Sequence, residues 1–128
     1  MQDKIVIKPA TLADITPYYD GRLPPNRCRA YAGKLGEQTL GVGGIYFLSD
    51  GTRVGFLILE PDGYKYPRAL YRAARWFLDM MKEEGIPSIR AVADPEIPKA
   101  ARFLKNIGFT EVDEFQGQVV YQWLGMVQ

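Results

Sequence analysis

Histidine is absent from this 128-residue chain, and cysteine occurs once. Without imidazole there is no Ser-His or Cys-His nucleophilic pair, no imidazole general base and no histidine-containing metal site, so no metal ligands are expected. Carboxylates, tyrosines and backbone amides are the chemistry-bearing groups that remain. A single thiol, Cys28, excludes an intrachain disulfide and is compatible with a reducing compartment. Lying between Arg27 and Arg29, it reads either as a thiol of lowered pKa or as an inert, partly buried strand residue. Long apolar runs are also missing, since none approaches the roughly 18 residues of a membrane-spanning helix. The start, MQDKIVIKPA, has no signal-peptide architecture, so the cytoplasm is the expected location. Charge of either sign is not in excess: 16 Lys and Arg against 15 Asp and Glu give a net +1. No global field steers the chain toward nucleic acid or an acidic membrane.

What is present is an ordinary globular composition, 47% hydrophobic and 24% charged, over a length that suits one domain, residues 1–128. KIVIK at 4–8 is rich in β-branched residues and runs into Pro9, which predicts a first strand. Thr11 is placed to cap a short helix with Asp14 in its first turn and Leu12, Ile15 and Tyr19 at near-helical spacing; GRLPPN at 21–26 ends it. An antiparallel meander follows, with strands at 27–32, 39–48 and 53–60 and turns at KLGEQ (34–38) and SDGT (49–52). Gly41, Gly43 and Gly44 within its second strand predict a bulge or a close backbone approach.

Pro67 suits the first position of a helix running to about Glu84, where Gly85 stops it. Leu70, Ala73, Ala74, Phe77, Leu78 and Met81 share one arc of that helix, and Arg68, Arg72, Arg75 and Asp79 line the opposite one. A strand at 89–93, a helix over about 97–106 capped by Gly108, and strands at 110–113 and 118–124 around an FQG turn complete the chain. The order β-α-β-β-β-α-β-α-β-β describes a mixed α/β (α+β) domain, one sheet covered by helices.

The strand VGFLILE delivers the loop PDGYKY onto the helix that begins at Pro67. Free N–H groups and the positive dipole end collect there, a combination that suits an anion. Arginine is the wrong sign for the first turn of a helix unless something negative lies nearby. Lys65, Arg68 and Arg72 therefore read either as contacts to a phosphate-bearing ligand or as a solvated face that Asp79 partly compensates.

The element order and the tail AVADPEIPKAARFLKNIGFTEV resemble the GNAT superfamily of N-acetyltransferases, which moves an acyl group from acetyl-CoA to an amine. Ala100, Phe103, Gly108 and Phe109 match the family's helix that ends in a Gly-Phe pair, and the resemblance covers nearly the whole chain. It implies a mixed central sheet with two splayed parallel strands, here 56–60 and 89–93, acetyl-CoA as cofactor, and Leu59 and Glu60 beside the pantetheine arm. The family's pyrophosphate signature falls on Tyr64 to Ala69: Ala69 is kept, while Pro67 stands in place of the first glycine and Tyr64 in place of Gln or Arg. Proline has no N–H to donate. The resemblance thus implies cofactor binding by Leu59, Lys65, Tyr66, Arg68, Ala69, Leu70 and Arg72, the basic residues offsetting the lost amide by charge-assisted bonds. Leu104 occupies the position of the family's tyrosine acid, which leaves Tyr121, Tyr66 or water for that task. Glu60 is the best match for the general base, its alternative being a turn carboxylate. Asp94 either orients the amine or makes an Asp-Pro turn.

The implied function is N-acetyl transfer from acetyl-CoA to a small-molecule or protein amine. Its alternative is a non-catalytic protein of the same fold that binds another protein, for example a phage or regulatory component. A homodimer through a hydrophobic edge of Val119, Val120, Tyr121 and Trp123 is compatible with both. The tyrosines supply either a binding surface or the margin of a core. Basic and aromatic residues do not interleave, so a nucleic-acid platform is not expected, and the amphipathic helix is expected to pack on the sheet rather than on a membrane.

Overall fold

Seven strands, β1 (Ile5–Pro9), β2 (Arg27–Leu35), β3 (Gln38–Phe47), β4 (Arg53–Leu59), β5 (Ser88–Val92), β6 (Thr110–Phe115) and β7 (Gln118–Leu124), form one sheet in the spatial order β1-β2-β3-β4-β5-β7-β6. Helices α1 (Leu12–Ile15), α2 (Pro67–Glu83) and α3 (Ala100–Asn106) accompany it, with 3-10 turns at Thr16–Tyr19 and Pro61–Lys65. This is a computed structural model that describes residues 4–21, 27–97 and 99–125. All neighbouring strands are antiparallel except β4 and β5. The mixed α/β class and the element order are those the periodicity predicts. Among the described residues no helix is long and apolar enough to cross a membrane.

The local chemistry explains most boundaries. Thr11 and Asp14 cap α1 reciprocally, each side chain accepting from the other's backbone N–H. Several strand ends move by one residue from the expected ones, and three boundaries move by two or more. β2 continues to Leu35, because the meander turn needs only Gly36 and Glu37 and the extra residue is absorbed by a bulge: Gly33 faces Gly41 and Lys34 faces Thr39, which leaves Leu40 unpaired. Phe115 belongs to β6, the hairpin turning on Gln116 and Gly117, both at positive φ. α3 begins at Ala100 rather than 97, since the Asp94 carboxylate accepts from the Glu96 N–H at 2.9 Å and holds that stretch as a turn. The prolines at 24, 25 and 98 lie outside the described residues.

Each face of the sheet carries its own core. Ile15, Ala32 and Val42 pack under α1, with Tyr18, Cys28 and Phe56 around them. Burial raises the Cys28 thiol above its ordinary pKa, the behaviour of an inert strand cysteine. On the opposite face Ile45, Ile89, Tyr121 and Trp123 meet Leu78 and Met81 of α2, with Ile107 and Phe109 at the end of α3. The C-terminal half of α2 is further fixed by a bidentate ion pair, Arg29 to Glu84 at 2.5 and 2.7 Å. Tyr31 adds edge-on contacts to Trp76 and Phe77. β7 lies between β5 and β6, so Tyr121 and Trp123 are interior and do not form the exposed hydrophobic edge that the sequence suggested; β6 is the edge on that side.

The expected close backbone approach in β3 occurs at Gly44, where a Cβ would stand 2.0 Å from the Arg29 carbonyl oxygen. Gly44→Ala is expected to lower stability by about 2–3 kcal/mol in urea unfolding. A loss below about 0.5 kcal/mol, the scale of a neutral surface change, would contradict that packing.

Candidate functional site

β4 and β5 run parallel and share one pair, Val54 opposite Arg90. Beyond it the strands carry no pairing, so the sheet parts between Leu57 and Leu59 on one side and Ala91 to Ala93 on the other. The gap opens into an apolar cavity of about 690 Å³ between the sheet and helices α2 and α3. Leu70, Ala73, Ala74 and Phe77 of α2 and Phe103, Leu104 and Ile107 of α3 form its roof. Its charged or amide side chains, Asp94, Lys99, Arg102 and Asn106, all lie at the α3 end.

Two features keep this space open. The buried residues of α2, Leu78 and Met81, both belong to its C-terminal half, so only that half is pressed onto the sheet. Gly41, Gly43 and Gly55 lie along the cavity floor, and neighbouring side chains fold sideways over them: Leu59, Leu57 and Ile89 stand 2.7, 3.3 and 3.2 Å from where the missing Cβ atoms would be. The floor is therefore low. Tyr71 ties the two helices at the mouth, its hydroxyl donating to the Asn106 carbonyl at 2.9 Å.

The residues singled out from sequence divide between two faces. Leu59, Tyr66, Ala69 and Leu70 line the cavity. Arg68 and Arg72 are exposed beside Pro67 and Tyr71 on the outside of the α2 start, with no carboxylate in salt-bridge range among the described residues. Lys65 is tied to Asp62 at 2.9 Å across the 3-10 turn, so its charge is partly used. Pro67 is the first helical residue of α2, and no side chain caps that end. The Arg68 and Ala69 N–H groups therefore lack intrahelical partners, while Leu70 bonds back to Tyr66.

Glu60 follows the last residue of β4 and accepts a hydrogen bond from the Tyr18 hydroxyl, on the α1 face. Tyr121 is 3% exposed within the core on the other face and is not among the cavity-lining residues. The structure thus does not bring Glu60 and Tyr121 together. Asp94 serves the turn already described and also lines the cavity mouth. Sequence reading missed Tyr18 and Tyr71, whose partners lie 42 and 35 residues away; only the tertiary fold pairs them.

Burial, and next the bond to Glu60, raises the Tyr18 phenol from 10.0 to about 12. Because the folded value lies above the unfolded one, this stabilisation is complete below pH 10 and is lost between pH 10 and about 12. Tyr18→Phe is expected to flatten that part of the curve of urea midpoint against pH. An unchanged slope would contradict the assignment.

No protein-family model matches the chain, and no curated protein does. Solved structures do. An acetyltransferase of the GNAT family from Staphylococcus aureus aligns at a TM-score of 0.69 with 12% identity, over 96% of this chain and 100% of that one. A chimeric spermidine N-acetyltransferase from Vibrio cholerae and hSSAT aligns at 0.65 with 13% identity, over 94% and 95%. An acetyltransferase of the GNAT family from Bacillus anthracis aligns at 0.62 with 18% identity over 75% of this chain, which spans 66% of that protein. The likeness lies in the overall fold, and the chain therefore has the GNAT acetyltransferase fold.

Proposed function

We propose that this protein transfers an acyl group, in the simplest case acetyl from acetyl-CoA, to a primary amine. The observation that carries this reading is the β4–β5 gap: an apolar cavity reaches it from the α2 and α3 face, and a carboxylate stands beside it on the α1 face. Donor and acceptor then approach from opposite sides and meet at the end of β4. Such placement converts a bimolecular encounter into a near-unimolecular one.

The donor's shape fits the residues present. A slender, mostly apolar arm suits the space between Leu59 and Ala93, and unpaired backbone groups at the parted strands are available to its amides. Phosphates would be held by the Arg68 and Ala69 N–H groups and by the Arg68 and Arg72 side chains, which take over from the amide that Pro67 lacks. The donor supplies a thioester whose C–S bond breaks as the C–N bond to the amine forms. Glu60 Oε takes the proton from the attacking nitrogen, and Tyr18 orients that carboxylate. Leu104 lines the cavity and has no proton to give, so water at the mouth protonates the leaving thiolate. The acceptor follows the chemistry of Glu60: a cationic amine, on a small molecule or a protein, is drawn to it.

A second reading, a non-catalytic protein of this fold that binds another protein, is favoured by Pro67 and Leu104. Calorimetric titration with CoA separates the two. Arg68→Ala combined with Arg72→Ala is expected to weaken CoA binding about 10-fold or more, whereas Lys65→Ala, whose ammonium is shared with Asp62, costs less. Absence of CoA binding to the unaltered protein would sink the acyltransferase reading and leave the protein-binding one. In an acceptor screen, Glu60→Gln is expected to reduce kcat roughly 100-fold or more at unchanged CoA affinity. Undiminished turnover would remove Glu60 from the base role.

A further inference from the structure

We propose that the acyl group taken by this site is a medium-length alkyl chain, longer than acetyl, seated between the N-terminal half of α2 and the sheet. The inference rests on the CoA-thioester reading and deepens it. Its first support is extent. The cavity does not stop at the parted strands but runs on beneath α2 as far as Ile5 and Ile7 of β1. From β4 to β1 is three strand spacings, about 14 Å. An extended chain of about twelve carbons spans such a path and one of about eight covers more than half of it, and about 690 Å³ falls within the range of sites that enclose a whole small ligand. The donor's arm takes the part between Leu59 and Ala93, and an acetyl group's two carbons would leave the part beneath α2 toward β1 empty.

The second support is polarity. Away from the α3 mouth the wall offers aliphatic and aromatic side chains, and among the described residues no carboxylate lines it there to hold a cationic amine. Water filling the deep part would find few partners, since a buried water normally makes two to four hydrogen bonds. Ala73 and Ala74 on the helix underside leave room where larger side chains would close it. Leu104, where the resemblance expects an acid, continues the apolar wall to the gap.

The third is charge. Lys99 and Arg102 stand at the mouth, with Arg68 and Arg72 at the nearby start of α2. None of the four is within salt-bridge range of a carboxylate among the described residues. Cationic groups outside and an apolar cavity inside match a ligand with an anionic head and an alkyl tail, which is the make-up of a medium-chain acyl-CoA.

Calorimetric titration with CoA, acetyl-CoA, octanoyl-CoA and decanoyl-CoA tests this by binding, independently of turnover. CoA and acetyl-CoA are expected to bind alike, and octanoyl-CoA at least about 10-fold tighter, well within the roughly fourfold per methylene that full burial provides. Ala73→Leu narrows the cavity with a good helix former and is expected to erase most of this gain while leaving CoA affinity within about twofold. Circular dichroism verifies that the variant folds, and Ile7→Phe, at the β1 end of the cavity, serves as a second narrowing variant if it does not. Equal affinity for acetyl-CoA and octanoyl-CoA, with CoA binding intact, overturns this inference and leaves the proposed function standing. A chain-length gain that survives in a folded narrowed variant also overturns it, because the chain would then lie elsewhere. Failure of CoA and every thioester to bind overturns the proposed function itself and this inference with it.

Discussion

One backbone bridge, Val54 opposite Arg90, joins the four-stranded meander β1–β4 to the three-stranded unit β5-β7-β6. Pairing stops there, so the two parts are held together by side chains. Ile45 from the meander, Ile89 and Trp123 from the other unit, and Leu78 and Met81 from α2 share one buried cluster. Each such side chain contributes about 1.5–3 kcal/mol when fully buried, which makes that cluster, and not the backbone ladder, the joint of the sheet. The gap tolerates being open because the joint lies at its closed end.

From this constraint the division of labour follows. α2 is anchored by its C-terminal half, through Met81, Leu78 and the Arg29–Glu84 pair, and its other half roofs a cavity with glycines along its floor. The same arrangement exposes the start of α2, with Arg68 and Arg72, beside the gap. On the opposite face, the capping box at Thr11 and the Asp14–Lys34 ion pair at 2.6 Å fix the short α1 segment. The 3-10 turn that follows presents Tyr18 to Glu60. Apolar space, cationic rim and carboxylate thus come from three separate parts of the chain, and meet only because β4 and β5 part.

Much of the fold was legible because its signals are local. Pro67 and Gly85 mark the two ends of α2, Thr11 with Asp14 marks the start of α1, and β-branched runs mark the strands. Errors fell where local signals compete. The KLGEQ stretch reads as a turn, yet a bulge at Leu40 lets β2 keep Lys34 and Leu35. The apolar tail reads as an exposed edge, yet β6 folds back outside β7 and buries it, which puts Tyr121 in the core.

The site was legible only in part. The start of α2 at Pro67 and the place of Glu60 at the end of β4 follow from residue type and position. Tyr18 does not, because its partner is distant in sequence. Lys65 misleads, because Pro61-Asp62-Gly63 marks a turn without showing that the turn brings Lys65 to Asp62. The cavity is least visible of all: it depends on which way Leu57, Leu59 and Ile89 lean over their glycine neighbours.

If the β4–β5 gap receives a CoA thioester, as we propose, amide chemical-shift mapping by NMR on addition of CoA will register it there. Shifts are expected to concentrate at Leu57, Leu59, Arg68, Ala69 and Ala93. Shifts confined to β6 and β7, or none at saturating CoA, would contradict it.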